Sequence, residues 1–444
     1  MNFQASVEYL LSLGNEVSAM KLGLQNISKL LAALGDPQNK YLKVQVAGTN
    51  GKGSVCAFLN SICVTAEIRT GMFTSPHLVS ITERVQIDGH EIPEKKFAEL
   101  ASVVRNTSEL LVEAGDLESV PTYFEQVTAI ALVAFAEANV ELAILETGLG
   151  GRLDATTAAN AEICAITQID IDHQQYLGET IEEIAAEKAA IIREGARVCV
   201  GRQRPEALEV ILQRCSDVGV VPKTLGTAKW EKNPPGFDFV LDGFRGEELV
   251  LSLEGEHQAE NAALAILLSL ELRRSRMISD EHIIRGVANT RHPGRLEWFE
   301  CDGVLVLLDG AHNPAGAESL VAYLTSQSLD RSIVLVYGSM NDKDYESILK
   351  TISPIATDMI LTEPKNQRAI SATEIAEWLQ ATLRTDNVFV VQDVEQAFDS
   401  AVEIARTYPN TRRKLVLVTG SLYLVGEVRR ILTAALPSKL KTES

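Results

Sequence analysis

The sequence predicts an α/β protein of two domains, and three observations predict it. Short β-rich runs alternate with longer runs of helical period from Tyr41 onward. A glycine-rich turn holding one lysine, Gly48 to Ser54, lies between the first such strand and the first such helix. The alternation breaks at Arg291-His292-Pro293-Gly294-Arg295 and resumes as a second series. Residues 1–293 are therefore expected to form a mostly parallel sheet with helices on both faces, around a P-loop. Residues 294–444 are expected to form a smaller, Rossmann-like α/β domain. At 444 residues the chain exceeds what one core usually serves.

In the first series, Tyr41 to Val46, Met72 to Thr74, Val140 to Leu145, Ile163 to Ile169 and Val198 to Val200 read as strands. Val55 to Ala66 is apolar at helical spacing. Pro93 to Ala114 carries proline at its start, and Thr122 to Ala138 and Thr180 to Ile192 open with the capping boxes Thr122-x-x-Glu125 and Thr180-x-x-Glu183. Val85 to Ile92 reads as a hairpin turning at Asp88-Gly89. After a helix at Asp280 to Asn289, the second series places strands at Val304 to Leu308, Ile333 to Val336, Met359 to Leu361, Val388 to Val391 and Leu415 to Thr419. Helices follow near Asn313, Asp344, Ser371, Val394 and Ser421.

Composition narrows the function classes. Hydrophobic residues are 46% and charged residues 23% of the chain, which excludes extensive disorder. A formal net charge of −19 opposes non-specific binding to nucleic acid or an anionic membrane. Any polyanionic ligand must meet local cations and metal. No apolar run reaches the eighteen or so residues of a membrane span, and the N-terminus lacks a signal-like pattern, so a cytoplasmic protein is expected. The six cysteines include no Cys-x-x-Cys pair and read as reduced core residues.

The turn Gly48-Thr49-Asn50-Gly51-Lys52-Gly53-Ser54 suits a nucleoside triphosphate. Glycines let backbone N–H groups curl round phosphate oxygens, and the helix N-terminus adds its dipole. Lys52 would bridge the outer phosphates and Ser54 would offer its hydroxyl to magnesium. The usual pattern ends Gly-Lys-Ser/Thr, whereas Gly53 here separates Lys52 from Ser54. The alternative is a glycine-rich turn with a solvated lysine, which the strand and helix context disfavours.

Ligands of open α/β sheets gather at the carboxyl ends of strands. There the sequence places the phosphate loop, then Ser75-Pro76-His77, then Glu146, then Asp170, Asp172 and His173. Glu146 closes an apolar strand, where an ionised carboxylate is costly unless it meets a cation; magnesium beside phosphates supplies one, and a salt-bridged glutamate is the alternative. For His173 a structural role and a place near metal both stay open. Lys188, beside Glu187 on a helix, reads by default as a solvated surface residue.

Together the motifs resemble a known family. They are Gly-Thr-Asn-Gly-Lys-Gly-Ser at 48–54, Thr-Ser-Pro-His-Leu at 74–78, Glu-Thr-Gly-Leu-Gly-Gly-Arg-Leu-Asp-Ala-Thr at 146–156, Asp-His at 172–173, Glu-Lys-Ala at 187–189 and Asp-Gly-Ala-His-Asn-Pro at 309–314. The chain resembles the folylpolyglutamate synthases, in particular the bacterial type that also acts as dihydrofolate synthase, within the Mur ligase superfamily. The first domain is accordingly similar to a Mur ligase central domain. The resemblance implies an ATP-dependent ligase joining L-glutamate to dihydropteroate or a reduced folate, with ATP between the domains. It implies one magnesium on Ser54, Ser75 and Glu146, and a second on Glu146, His173 and a carbamylated Lys188. The implied modification is consistent with the chemistry, since an unmodified ammonium cannot coordinate a metal. It implies nucleotide contacts at Gly48 to Ser54, Asn261, Arg295 and Asp309, and glutamate contacts at His312 and Ser421. Thr122 and Phe124, with Asp154 and Ala155, resemble the pterin-binding stretch, for which helix core is the alternative. Gln168, Thr157 and Ala190 depart from the usual pattern without removing a ligand.

The chemistry expected is activation of the acid by phosphorylation. The substrate carboxylate attacks the γ-phosphate to give an acyl phosphate and ADP, with Lys52 and two magnesium ions absorbing charge, and the glutamate amine then displaces phosphate. His173 and Lys188 join Lys52 as catalytic candidates through the metal. Domain closure would shield the acyl phosphate from water. Three rival readings stand beside this one: a cell-wall amino-acid ligase, for whose further N-terminal domain the roughly forty residues before the first strand are expected to be too few; a nucleotide-binding regulatory module; and a small-molecule kinase. A monomer is the expected state.

Overall fold

The computed structural model describes residues 1–14, 23–327, 331–383, 387–409 and 412–435. Contacts divide the chain into two units. The first comprises Met1–Ser252 and Gln258–Arg291, and the second comprises Leu253–His257 and the chain from His292 onward. The sequence suggested one boundary. The structure adds a five-residue excursion, Leu253–His257, that packs with the second unit.

The first unit is built on eight strands: β1 (Leu42–Ala47), β2 (Thr70–Phe73), β3 (Val85–Ile87), β4 (His90–Glu91), β5 (Leu142–Glu146), β6 (Ile163–Ile166), β7 (Arg197–Val200) and β8 (Lys223–Thr224). Their order is β4-β3-β2-β5-β1-β6-β7-β8, with only the β3–β4 hairpin antiparallel to its neighbours. Chain-adjacent strands are often not sheet-adjacent: β5 inserts between β1 and β2, and β6 lies on the other side of β1. Every residue of β5 is buried, as helices on both faces require.

The expected helices form where their caps put them. Thr122 and Thr180 both make complete capping boxes at the heads of helices Tyr123–Glu137 and Ile181–Ala189. One face of the sheet is covered by Glu94–Glu113 and Tyr123–Glu137. Onto these pack two N-terminal helices that the sequence reading did not assign, Phe3–Ser12 and Gln25–Ala33, through Leu10, Ile27 and Leu30. On helix Lys52–Thr65 packs helix Asp280–Ala288. At their crossing, a Cβ on Gly286 would lie 2.5 Å from Ile62 Cα.

Three further elements went unassigned. An antiparallel sheet of β9 (Lys229–Asn233), β10 (Gly236–Leu241) and β11 (Phe244–Leu249) follows helix Pro205–Asp217, and helix Glu256–Leu272 comes next. This last helix is apolar on most sides, so it lacks the stripe that marks a surface helix.

The second unit holds β12 (Glu297–Cys301), β13 (Val304–Leu308), β14 (Arg331–Tyr337), β15 (Asp358–Leu361), β16 (Val388–Val390) and β17 (Arg413–Thr419), in the order β12-β13-β17-β14-β15-β16. All pairings are parallel except β12 with β13, an edge hairpin the sequence reading missed. Asn313, Asp344, Ser371 and Asp393 cap helices Pro314–Ser326, Tyr345–Ile352, Ala372–Thr382 and Val394–Thr407. All six cysteines are free, and among the described residues no helix is long and apolar enough to cross a membrane.

Gly286→Ala should destabilise the protein by about 1–3 kcal/mol, because the neighbouring atoms are helix backbone and cannot yield as a flexible side chain would. Chemical denaturation reads this directly; an unchanged midpoint would show that the helix crossing is loose.

Candidate functional site

The phosphate loop leaves β1 and enters helix Lys52–Thr65 through two residues at positive φ, Gly48 (152°) and Gly51 (86°). Both positions exclude a side chain by crowding as well. A Cβ on Gly48 would lie 1.8 Å from Thr167 Oγ1, and one on Gly51 would lie 2.2 Å from Asn261 Oδ1. The loop is bonded to its neighbour after β6: Thr49 and Asn50 N–H donate to the Gln168 carbonyl (2.9 and 3.2 Å), and Thr167 Oγ1 donates to the Asn50 carbonyl (2.7 Å). The strand read as Ile163 to Ile169 therefore ends at Ile166. Thr167, its N–H still on the Ala47 carbonyl (2.8 Å), and Gln168 hold the loop. Lys52 Nζ curls back to the Thr49 carbonyl (3.1 Å), and Ser54 lies buried in the first helical turn, whose N–H groups have no partner within the helix.

Glu146 ends β5 and is only 5% exposed. Its Oε2 accepts the Ser75 N–H (3.1 Å), joining the ends of β5 and β2. Cys56 lies close by. Burial first, then the Glu146 charge, pushes its thiol well above the ordinary range, with Lys52 opposing.

Lys188 is not the solvated residue its helix pattern suggested. It is 4% exposed, and its Nζ donates to the Gly48 carbonyl at 2.9 Å. The cause is close packing of helix Ile181–Ala189 on the loop after β5. A Cβ on Gly151 would lie 2.7 Å from the Glu187 carbonyl, Arg152 N–H donates to that carbonyl (2.9 Å), and the Arg152 side chain pairs with Glu187 (2.8 Å).

His173 follows the loop after β6 in left-handed conformation (φ 51°), with its N–H on Asp172 Oδ1 (2.9 Å). Asp170, the first carboxylate after that strand, is paired with Arg204 (3.1 Å).

The described residues contain no group of three or more His, Cys, Asp or Glu side chains placed to hold a metal. A magnesium site here would instead combine the buried Glu146 carboxylate with serine hydroxyls and phosphate oxygens. That oxygen-donor set fits a hard cation which keeps several non-protein ligands.

Phe124, half-buried at the head of its helix, packs tilted against Phe73 (5.8 Å between centroids) and lies so near Gly148 that a Cβ there would be 2.5 Å from Cζ. The stretch at Thr122 and the loop at 148–155 thus adjoin. Thr122 donates its hydroxyl to Glu125 (2.9 Å), and Ala155 is buried. The Asp154 carboxylate is enclosed by its own loop, accepting N–H bonds from Gly148 (2.8 Å), Leu149 and Thr156 (both 3.0 Å), and burial raises its pKa. Its visible work is holding the loop's shape.

Sequence reasoning missed Arg84, a buried cation whose Nε donates to His77 Nδ1 (2.7 Å) and whose guanidinium lies 5.6 Å from the Tyr123 ring centre. Burial and the Arg84 charge lower the His77 pKa to about 3, which keeps the ring a neutral acceptor. Nothing in Thr82-Glu83-Arg84-Val85 marks this arginine in advance.

In the second unit the loops after β13 and β17 are bonded together, Gly420 N–H donating to the Ala311 carbonyl (3.0 Å). Asp309 is buried, accepts N–H bonds from Leu296 and Ala311 (3.0 Å each), and has a pKa raised by burial and opposed by Arg295. Arg295 Nη1 lies 2.9 Å from where a Gly310 Cβ would stand. His312 Nδ1 donates to the Gly310 carbonyl (2.8 Å), and Ser421 Oγ accepts the Tyr423 N–H (3.1 Å) at the head of the last helix. Asp309, Arg295, His312 and Ser421 therefore share one edge of this sheet. Asn261, on helix Glu256–Leu272, lies against Gly51 of the phosphate loop.

Known proteins share this fold. The family model of the Mur ligase middle domain matches residues 46–269, and that of the Mur ligase glutamate ligase domain matches residues 294–422. The dihydrofolate synthase/folylpolyglutamate synthase of Bacillus subtilis is 34% identical over 425 residues, covering 93% of this chain and 95% of that one. A Mycobacterium tuberculosis folylpolyglutamate synthase solved with ADP and AMPPCP superposes with a TM-score of 0.88 at 33% identity, covering 97% of this chain and 99% of the other. A bifunctional folylpolyglutamate synthase/dihydrofolate synthase with Mn, AMPPNP and L-glutamate bound gives a TM-score of 0.82 at 30% identity, with 98% of each chain covered. Fold, motif order and full-length similarity agree, and the chain belongs to the dihydrofolate synthase/folylpolyglutamate synthase branch of the Mur ligase family.

Proposed function

We propose that this protein is an ATP-dependent ligase that joins L-glutamate to a folate-type acid, dihydropteroate or a reduced folate, through an acyl phosphate. The observation that carries this is the convergence on one sheet edge of the phosphate loop, Ser75, Glu146 and the Thr167–His173 loop, from four laterally adjacent parallel strands, with Lys188 buried against Gly48.

A carboxylate resists amines because its charge repels them and oxide is a poor leaving group; phosphorylation removes both obstacles. The loop Gly48 to Ser54 cradles the phosphates through backbone N–H groups, and Lys52 follows the negative charge that develops on the transferring phosphoryl group. Ser54, Ser75 and Glu146, with His173 and Lys188, would hold divalent metal. Bound there, a divalent metal would supply positive charge to offset that of the phosphates. Carbamylation of Lys188 Nζ would convert an ammonium, which cannot coordinate a metal, into an anionic oxygen ligand, and its burial beside the Gly48 carbonyl is consistent with that role. The folate-type acid is assigned to the surface formed by Phe124 and the loop held by Asp154, with Thr122 and Ala155 at its border. Asn261, Arg295 and Asp309 are assigned to the nucleotide, and His312 and Ser421 to L-glutamate. The glutamate amine then displaces phosphate from the acyl phosphate, giving amide, ADP and phosphate.

Lys52→Ala is expected to abolish both glutamate incorporation and ADP release; normal ligation by that variant would falsify the loop assignment. In wild type, ADP release should require both a pteroate-type acid and L-glutamate. Hydrolysis indifferent to the two would instead indicate a regulatory nucleotide-binding module. Stripping divalent metal with EDTA should stop ligation with little change in the unfolding midpoint, and added magnesium should restore it. Persistent activity in EDTA would refute the metal assignment.

A further inference from the structure

The chain after β7 grips the same segment that holds the phosphate loop, and every residue involved lies in the first unit. The ladder between β6 and β7 closes with Ile166 opposite Val200 and with the Gly201 N–H on the Ile166 carbonyl (2.8 Å). Two residues further on, the Gln203 side chain takes over. Its Nε2 donates to the Thr167 carbonyl (2.8 Å), and its Oε1 accepts the Ile169 N–H (3.0 Å). Only this orientation of the amide satisfies both partners, which tells its nitrogen from its oxygen. A residue of a parallel strand makes the same exchange with a neighbouring backbone, donating to the residue before its partner and accepting from the residue after. The Gln168 carbonyl between them is left to the phosphate loop, where it accepts the Thr49 and Asn50 N–H groups (2.9 and 3.2 Å).

The amide is anchored on both sides along its own chain. Arg202 stacks on Trp230 of β9, its guanidinium 3.7 Å from the ring centre, and donates to the Ala228 carbonyl (3.3 Å). Arg204 pairs with Asp170 (3.1 Å), whose backbone meets Thr49: the Thr49 hydroxyl donates to the Asp170 carbonyl (3.0 Å) and accepts the Asp170 N–H (3.1 Å). Residues 167–170 are thus gripped by Gln203 and Arg204, and they in turn grip Thr49 and Asn50. Fixing those two residues sets the entry into helix Lys52–Thr65, whose free N–H groups face the ligand.

We propose that Gln203 is a positioning residue for the nucleotide phosphates: its side-chain amide holds residues 167–169 so that the Gln168 carbonyl fixes Thr49 and Asn50. The proposal rests on the phosphate-binding role given to Gly48 to Ser54. In the sequence, Gly201-Arg202-Gln203-Arg204-Pro205 reads as a polar turn before a helix with proline at its head, and none of the motifs includes it.

The test compares Gln203→Met, Gln203→Glu and Lys52→Ala with wild type by AMPPNP titration. For the two Gln203 variants it adds KM for ATP and for a pteroate-type acid, and backbone hydrogen exchange without ligand. Gln203→Met keeps the length of the side chain and loses both bonds. The Thr49 and Asn50 amides should then exchange faster while those of β5 stay protected, and AMPPNP should bind about fivefold to tenfold more weakly. The ATP KM should rise by a similar factor with the acid KM unmoved. Gln203→Glu keeps the size and the acceptor but turns a carboxylate oxygen toward the Thr167 carbonyl, so it should lose affinity likewise; it decides alone if the methionine variant does not fold. Unchanged exchange at Thr49 and Asn50, unchanged AMPPNP affinity, or equal rises in the two KM values overturns the proposal. Wild-type AMPPNP affinity in Lys52→Ala overturns the phosphate-loop assignment instead, whatever Gln203 does.

Discussion

The bonding of the phosphate loop to the loop after β6 is the interaction on which the rest of the site depends. A glycine-rich turn is conformationally free by itself and loses much entropy when ordered. Here the Gln168 carbonyl takes two of its N–H groups, Thr167 Oγ1 donates to the Asn50 carbonyl, and Lys188 Nζ donates to the Gly48 carbonyl. Two chain segments distant in sequence from the turn thus hold it in shape. Preorganisation of that kind makes backbone dipoles effective toward phosphate, since they need not reorient when charge develops.

The same edge concentrates charge that would be costly elsewhere. Glu146 and Lys188 are both nearly inaccessible to water, and neither sits in the interior of the apolar core. They lie where the sheet ends, against loops rich in backbone donors and acceptors. A protein with a net charge of −19 cannot attract a triphosphate through its overall field, so local cations and divalent metal must do so. Asp170, at the same edge, has its charge offset by Arg204 (3.1 Å).

The second unit uses the same topological device. β17 returns between β13 and β14, and the loops after β13 and β17 are hydrogen-bonded to each other. Asp309 is held by two backbone N–H groups and by the neighbouring charge of Arg295, which together allow a carboxylate to stay at a buried position. His257 and Arg295 meet there as well, on segments separated by more than thirty residues of first-unit chain.

Much was legible from residues alone, because it depends on local patterns. Capping boxes at Thr122 and Thr180, the Asp88-Gly89 hairpin, strand-length apolar runs and the glycine-lysine turn are short-range signals whose physics does not need the rest of the chain. The N-terminal helices, the β9–β11 sheet and helix Glu256–Leu272 escaped, since none carries a strong cap and a clear apolar stripe together. What only tertiary structure decided is the set of neighbours: that Ile163 to Ile169 stops early so Thr167 and Gln168 can hold the phosphate loop, that a helix lysine becomes the buried partner of Gly48, and that Arg84 and Gln203 have specific partners. Sequence determines which conformations a segment prefers. Strand order determines which segments meet, and burial and charge pairing are properties of that meeting.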